Sequence, residues 1–480
     1  MHDFGIFIYR KDLRTVDNRG LIKLSETCKE IIPIFIFDPN QIDKTNKNKN
    51  YISFPVIRFL CESVKNLDDY IKNNKSKLNI FYGKPHNVLK YIFSNIKKNK
   101  EFFNSSFCLG FNNDYTEYSL TRDKLIIDIC NKNKIEVIQN HDDFTLMDME
   151  LLKKDANSPY KQYGAFKKKL LDKKNKINKP INKKINFYKK EFNILKKIDV
   201  KNIHNFWINN LPKDYKPLEV GERKLALNIL KNLGKFNDYN TKRDILSYQT
   251  TQLSAYLNFG LISEREFYFE LKSQLSNSQL IEQIIWRDYY YCILRFIAKA
   301  NSYNYHIDSR FDKIKWANTI PNKSSKVWKE WNLMLNSKTG FMHNRCRMIV
   351  GVFSVKYLMI NPLCNYIGLN EWFSRYLLDC STSQNKLNTQ WVSELDFPGK
   401  KFAPSDAPLS GRPMTISNEV IKKWDPECKY IKKWLPHLKD IDNKILYKWD
   451  TKYNEKIHPK PIFNAKDRYK EWVNLCKKAT

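Results

Sequence analysis

"FGIFIYRKDLRTVDNRGL", Phe4 to Leu21, opens with six mostly apolar residues and breaks at Arg10 into a segment crowded with charge. A short run rich in β-branched and aromatic side chains marks a strand buried on both faces. The run is too short, and interrupted too soon by charge, to be a signal peptide. It reads as the first strand of a soluble, intracellular protein. Four segments of the same kind follow, "IIPIFIF", "KLNIFY", "SSFCLGF" and "KIEVIQ", separated by amphipathic stretches such as "YISFPVIRFLCESVKNLDDYIK". Strands alternating with helices predict a doubly wound parallel α/β domain over residues 1–140. No GxGxxG follows the first strand, so the sequence gives no support for a dinucleotide site there.

Residues 141–210 read as an interdomain linker, and the lysine- and asparagine-rich stretch from Lys167 to Lys201 predicts an exposed, partly mobile tether, with a nonspecific nucleic-acid arm as the alternative. From 211 to 480 the pattern is helical, which predicts an all-α domain. Gly260 is a natural helix stop there, and Ser263 with Glu266 makes a capping box for the next helix. In "QLIEQIIWRDYYYCILRFIAKA", Ile281, Ile285, Tyr289, Cys292 and Phe296 share one face, while Gln283, Trp286, Arg287 and Tyr290 share another. A helix with two useful faces sits between a core and a site.

The chain has 480 residues, room for two or three domains and for a large buried cofactor. It contains no apolar run long enough to span a membrane. The net charge of +33 points to a polyanionic partner, although much of the lysine matches a composition crowded with Lys, Asn and Ile. Only 16 of the 84 basic residues are arginines, so an arginine inside a motif carries more information. Ten cysteines include no CxxC pair, and the positions of Cys346, Cys364 and Cys380 suit neither zinc nor iron–sulfur ligation. They read as reduced structural thiols, with no metal.

Three constellations could carry chemistry. Hydroxyls in "TTQLS", Thr250 to Ser254, suit a phosphate seat or a plain helix cap. In "GFMHNRCRMIVGVF", Asn344 and Met348 are four apart on one helical face with Arg347 beside them, and Asp379 is a candidate partner for that arginine. This suits a site wall, or a structural ion pair with a core methionine. Trp286 with Gln283 suits a base-stacking platform with an amide at its edge, or simply core.

Together the blocks "FIYRKDLRTVDNRGL", "SPYKQY", "RDILSYQTTQLSAYLNFGLISEREF", "IIWRDYYYCIL", "GFMHNRCRMIVGVFSVKYLMINP" and "KKWDPECKYIKKWLPHL" resemble the photolyase and cryptochrome family, from about Ile6 to Pro436. The "HNRxRM" block is similar to the class I cyclobutane pyrimidine dimer photolyases rather than to (6-4) photolyases, which carry histidine where Met348 stands. The resemblance implies an antenna-type α/β domain joined to a helical domain that buries a folded FAD. It implies that Tyr239, Thr250, Thr251, Gln252, Leu253 and Ser254 hold the phosphates and ribityl chain. Asp379 and Arg347 would pair beside the flavin ring, and Asn385 would face its reactive nitrogen, with Gln283, Arg287 and Ser381 also on the cofactor side. Trp286, Gln283, Asn344 and Met348 would receive a flipped dimer, and Arg243, Arg345 and Arg412 would contact DNA.

The implied activity is repair of UV-damaged DNA by blue-light electron transfer from reduced anionic FAD, in a monomer. The family's α/β domain often holds an antenna chromophore, here folate or deazaflavin without a choice between them, and "GFNNDYTEYSLTRD" lies where the family approaches it or is plain strand and helix end. Three positions depart from the family pattern. Ser381 stands where a second aspartate is usual, Thr389 where a relay tryptophan is usual, and Gln283 where class I enzymes have glutamate. Trp316, Trp328, Trp331 and Trp372 are the nearby candidates for the other relay positions. Gln283 favours a (6-4) photolyase as the alternative, and Ser381 with Thr389 favours a non-repairing, cryptochrome-like light sensor.

Overall fold

The computed structural model describes residues 1–42, 54–155, 158–160, 162–194, 219–275, 278–299, 339–393, 418–461 and 463–479, with single positions at 202 and 217. Five parallel strands form one sheet in the order β3-β2-β1-β4-β5: β1 His2–Tyr9, β2 Cys28–Phe37, β3 Asn79–Tyr82, β4 Phe107–Asn112 and β5 Glu136–Asn140. Each apolar segment expected to be a strand is one. Helices Arg19–Thr27, Phe54–Asn73, Pro85–Ile96 and Glu117–Lys132 supply the crossovers. Both faces of the sheet are covered, as all-parallel sheets require. Ile6, Ile8, Ile32 and Ile34 pack on one side, and Phe7, Tyr9, Ile31 and Phe35 on the other.

Pro33 sits inside β2, where a missing N–H normally breaks a ladder. Here the side of β2 facing away from β1 is shared by two partners. Ile31 exchanges bonds with Asn186 and Tyr188, and β3 begins its register at Ile34. Pro33 falls in the gap between them.

That first partner corrects one expectation. The lysine-rich segment is not a free tether up to residue 194: Phe187 bridges Ile31, and Ile185, Phe187, Tyr188, Phe192 and Ile194 are buried. Asp17 and Ile181 bond each other twice, through the Asp17 N–H to the Ile181 carbonyl and the Ile181 N–H to the Asp17 carboxylate. The lysines stay in solvent while isolated apolar positions pin the backbone to the sheet. The rest of the linker, from 195 onward, lies outside the described residues apart from single positions.

In an open sheet of this kind the crevice at the carboxyl ends of the strands, where strand order reverses, is the usual ligand position. Here the charged half of the opening stretch fills it. Asn112 at the end of β4 donates to Asp12 and to Asn18, and Arg10 pairs with Asp123. The same loop docks the helical half. Leu13 N–H donates to the Phe259 carbonyl, and Arg14 pairs with Asp143 and donates to the Gly260 carbonyl. Gly260 has φ +66°, and a Cβ there would lie 2.2 Å from the Lys11 carbonyl oxygen, so both its conformation and its contact demand glycine. Arg265 completes the joint. Its Nε donates to Asp17 at 2.8 Å with both side chains fully buried, and its other nitrogens reach carbonyls of Asp17, Asp142, Asp143 and Thr145.

The helical half follows the expected punctuation. Ser263 and Glu266 form the reciprocal capping box at the start of helix Glu264–Gln274. Helix Gln279–Lys299 buries Ile285, Tyr289 and Cys292, together with Ile284, Tyr291 and Ile293. Gln283 is exposed, while Trp286, Arg287 and Tyr290 are half-buried. Helices Asn344–Val352, Pro362–Tyr376 and Thr382–Val392 pack against one another, and Gly351 meets Val392 at the crossing. No described helix is long and apolar enough to cross a membrane.

Candidate active site

Helices Asn344–Val352, Pro362–Tyr376 and Thr382–Val392 line a cavity of about 50 Å³ that opens to solvent. It is lined by Asn344, Arg347, Met348, Phe373, Asp379, Gln384, Asn385, Asn388, Thr389 and Val392. Six of these positions, Asn344, Arg347, Met348, Asp379, Asn385 and Thr389, are expected from the sequence, and they converge from segments more than thirty residues apart.

Asp379 is the hub of one wall. Its two oxygens accept from Arg347 Nη2 at 2.8 and 2.9 Å, and Oδ2 also accepts from the Ser254 hydroxyl at 3.1 Å. Arg347 is fixed from behind, because Nε and Nη2 also donate to the Met342 carbonyl. The backbone around Asp379 is clamped: Asn258 donates to the Leu378 carbonyl, and Leu378 N–H donates to Gly340. Gly340 has φ +75°, and a Cβ there would press on Leu378 at 2.7 Å. The acid is therefore held where the guanidinium can reach it.

Thr250, Thr251, Gln252 and Leu253 precede the short helix Ser254–Asn258 rather than capping it, since its first turn has no side-chain cap. Gln252 adopts φ +54°, a left-handed conformation that costs a side-chain-bearing residue about 1–3 kcal/mol and persists only where surroundings impose it. Tyr239 is buried one element earlier. Buried Glu219 feels the Asp379 charge: burial first, then Asp379, raises its carboxyl to about 8.

The opposite wall is rich in amides. Asn385 Nδ2 donates to Asn370 at 2.9 Å, Gln384 Nε2 donates to the Arg287 carbonyl, and Asn388 Nδ2 donates to the Gln384 carbonyl. The Tyr290 hydroxyl donates to Asn388 Oδ1 at 3.3 Å. Asn344 and Met348 sit face to face one turn apart, Nδ2 to Sδ 3.9 Å. Ser381 offers only a hydroxyl, 3.3 Å from that of Ser383, and Thr389 is buried.

Other expected site residues are engaged elsewhere. The Arg287 guanidinium is held by Glu264 and the Phe144 carbonyl at the domain joint, so it does not line the cavity. Arg345 pairs with Asp244, lies over Trp424 and touches Met348 Sδ at 3.2 Å. Arg243 is half-buried beside the same Asp244, and its carbonyl accepts from His343 Nε2. His343 Nδ1 accepts from Arg345 N–H, and burial holds its pKa down at about 4, so the ring is neutral and carries its proton on Nε2. Trp286 lies under Tyr163, rings 3.7 Å apart. Trp372 is 4.6 Å from Tyr376, while Arg412, Trp316, Trp328 and Trp331 lie outside the described residues. Gln384, Asn388, Asn370 and Phe373 escaped the sequence reading. For Gln384 and Asn388 the signal lay in the spacing, since both flank Asn385 on one helix.

The donor set fits a flavin dinucleotide. A fixed guanidinium–carboxylate pair suits the donors and acceptors of a ring edge, hydroxyls at Thr250, Thr251 and Ser254 suit phosphate and ribityl oxygens, and the amide wall suits heterocycle edges. The described residues contain no cluster of metal-ligating side chains, and the eight described cysteines are buried free thiols.

Comparison with known proteins agrees. A family model described as "DNA photolyase" matches residues 6–184, and one described as "FAD binding domain of DNA photolyase" matches 280–478. The chain is 29% identical to a deoxyribodipyrimidine photo-lyase of Buchnera aphidicola, over 98% of this chain and 96% of that protein. It is 25% identical to a (6-4)DNA photolyase of Arabidopsis thaliana, over 95% and 84% respectively. Among solved structures, an archaeal photolyase from Sulfolobus tokodaii with two FAD molecules superposes with a TM-score of 0.77 at 26% identity, over 99% of this chain and 100% of that one. The two matched segments fall on the α/β sheet and on the helices that enclose the cavity, and on this agreement the chain belongs to the photolyase and cryptochrome family.

Proposed function

We propose that the protein is a DNA photolyase that splits cyclobutane pyrimidine dimers in UV-damaged DNA under blue light, and that it acts as a monomer. The observation that carries this reading is the meeting of Asn344, Arg347, Met348, Asp379 and Asn385 around one cavity. Tyr239, Thr250, Thr251, Gln252, Leu253 and Ser254 would hold the FAD phosphates and ribityl chain, with Arg347, Asp379, Ser381 and Asn385 at the ring. Fully reduced anionic FAD, if bound there, would lend the electron that opens the cyclobutane ring under blue light and take it back once both bonds have split, so the flavin ends unchanged.

The chain's own part is to place the lesion and set the field around it. Arg347, anchored on Asp379 and Met342, presents a positive charge that needs no reorganisation when negative charge appears nearby. Asn385, tied to Asn370, keeps its amide plane fixed at the wall. Asn344 and exposed Gln283 would hydrogen-bond the base edges, Met348 would fill the gap between them, and Trp286 would stack against the flipped dimer. A base on an aromatic side chain gains about 1–3 kcal/mol. A dimer pairs and stacks poorly, so flipping it costs less than flipping a normal base. Arg243, Arg345 and Arg412 would contact phosphates.

Gln283 favours a second reading, repair of (6-4) photoproducts, which Met348 opposes. The test incubates reduced, flavin-loaded protein with DNA carrying each lesion, in light and in darkness. Light-dependent loss of the cyclobutane dimer alone is expected, and loss of the (6-4) product alone would establish the second reading. Loss of neither, with flavin bound, would identify a light sensor. The absorption spectrum of the same preparation identifies any folate or deazaflavin that copurifies.

A further inference from the structure

Trp286 is held by residues 123 positions earlier in the chain. The Tyr163 ring lies flat on its indole, centroids 3.7 Å apart and planes 4° from parallel. Tyr289 meets the indole nearly edge-on at 5.6 Å, and Tyr290 leans on it at 5.4 Å and 39°. A second link closes the arrangement. The Tyr163 hydroxyl donates to Glu282 Oε2 at 2.5 Å, and Lys167 Nζ pairs with Glu282 Oε1. Tyr163 and Lys167 are one turn apart on helix Tyr163–Leu170, and Glu282 and Trp286 are one turn apart on helix Gln279–Lys299. Two helices are thus clasped by an aromatic stack and a tyrosine–carboxylate–lysine bridge side by side. Phe166 and Leu170, fully buried, root the first helix in the core.

The spacing decides what Trp286 can do. A base stacked between the two rings needs about 7 Å, twice the van der Waals thickness of an aromatic ring. At 3.7 Å the Tyr163 side is closed. Trp286 is therefore left to meet a ligand with its uncovered parts only, in one fixed orientation. Tyr290, leaning on the same indole, also donates to Asn388 on the cavity wall, so the clasp and the cavity share a hydrogen-bonded connection.

We propose that Tyr163 is a positioning residue for lesion recognition: stacked on Trp286 and latched to Glu282 and Lys167, it fixes the indole plane against which the flipped dimer docks. The inference rests on the photolyase reading. It assigns specificity to a residue of the N-terminal half that does not line the cavity. A flexible indole would have to be ordered at each binding event, and that ordering is a cost which preorganisation removes. Tyr163 has already met it.

The test is a double-mutant cycle on full-length, flavin-loaded protein. Its probes are duplexes of one sequence, with and without a single thymine dimer, titrated in darkness, and the readout is the ratio of the two affinities. Tyr163→Ala should lower that ratio about three- to tenfold, the range of a lost aromatic pair, and leave undamaged DNA unaffected. Tyr163→Phe, which keeps the stack and loses the latch, should restore most of the ratio. In a Trp286→Ala background Tyr163→Ala should change the ratio no further, because the plane it positions is gone. An unchanged ratio in Tyr163→Ala, or an equal drop in both backgrounds, overturns the proposal and leaves the photolyase reading standing. A wild-type protein with no preference for the lesion overturns both. Far-ultraviolet circular dichroism and the flavin spectrum identify a variant that has not folded, and the Phe variant then carries the comparison: a ratio at or below one third of wild type would overturn the stacking argument.

Discussion

Replacing Arg265 by methionine removes the most heavily bonded cation of the domain joint while nearly conserving its volume. Arg265 and Asp17 are both fully buried, with Nε to Oδ2 at 2.8 Å. The substitution strands the Asp17 carboxylate in the interior and takes donors from carbonyls of Asp17, Asp142, Asp143 and Thr145. Breaking a buried pair by removing one partner costs about 3–5 kcal/mol, chiefly through the uncompensated charge left behind. Arg265→Met should therefore cost about 4 kcal/mol. Asp17→Asn in the same background removes that charge and keeps an acceptor for the Ile181 N–H. The double variant should recover about 2 kcal/mol, a coupling energy well above the additive noise between distant sites. Urea unfolding at neutral pH, followed by circular dichroism and by intrinsic fluorescence with unchanged slope, measures each variant. Costs in the double variant equal to the sum of the singles would refute the argument that the orphaned charge dominates.

Asp379→Asn should leave the Arg347 guanidinium facing neutral acceptors only, the amide oxygen and the Met342 carbonyl, and weaken flavin retention at least tenfold, read by cofactor release during gel filtration, while thermal stability of the flavin-free protein falls by less than for Arg265→Met. Asp288 is buried, and desolvation, with Glu264 adding to it, raises its carboxyl to about 8. A carboxyl raised in the folded state contributes stability that is complete below its unfolded pKa, near 4, and is lost as pH rises toward 8. Asp288→Asn should therefore gain stability over wild type at pH 8 and show little advantage at pH 4.5, in urea titrations at both pH values; the opposite order would refute the assignment.

The strands were legible because β-branched and aromatic runs such as Ile31–Phe37 are dense enough to stand out from any background. Capping was equally legible at Ser263 and Glu266, where two residues three apart satisfy each other's backbone. The docked linker was hidden because Ile185, Phe187 and Phe192 are scattered singly among lysines, and composition outweighs isolated apolar positions. The Arg347–Asp379 pair could be named because Arg347 sits in a recognisable block at the mouth of a helix that enters the interior, where a buried charge needs a partner. The joint formed by Arg14, Asp17, Asp143 and Arg265 could not be, because a buried ion pair leaves no periodicity: charges that look solvated in the sequence are matched only by the fold. The same holds for Tyr163 on Trp286, a contact with no local signal in either helix.

The joint has a consequence for how the protein could be divided. Residues of the α/β sheet and of the helical half hold each other through charges that neither could leave exposed in a dry interface nor leave buried alone. Two polypeptides, one ending and the other beginning between residues 195 and 216, would each carry an incomplete set of those charges. Made together they should find each other and assemble into one flavin-binding particle, and made separately each should be retained by chaperones. Complementation between fragments would thus report on the joint without touching the site, and it offers a way to switch such a repair protein on by bringing its halves together.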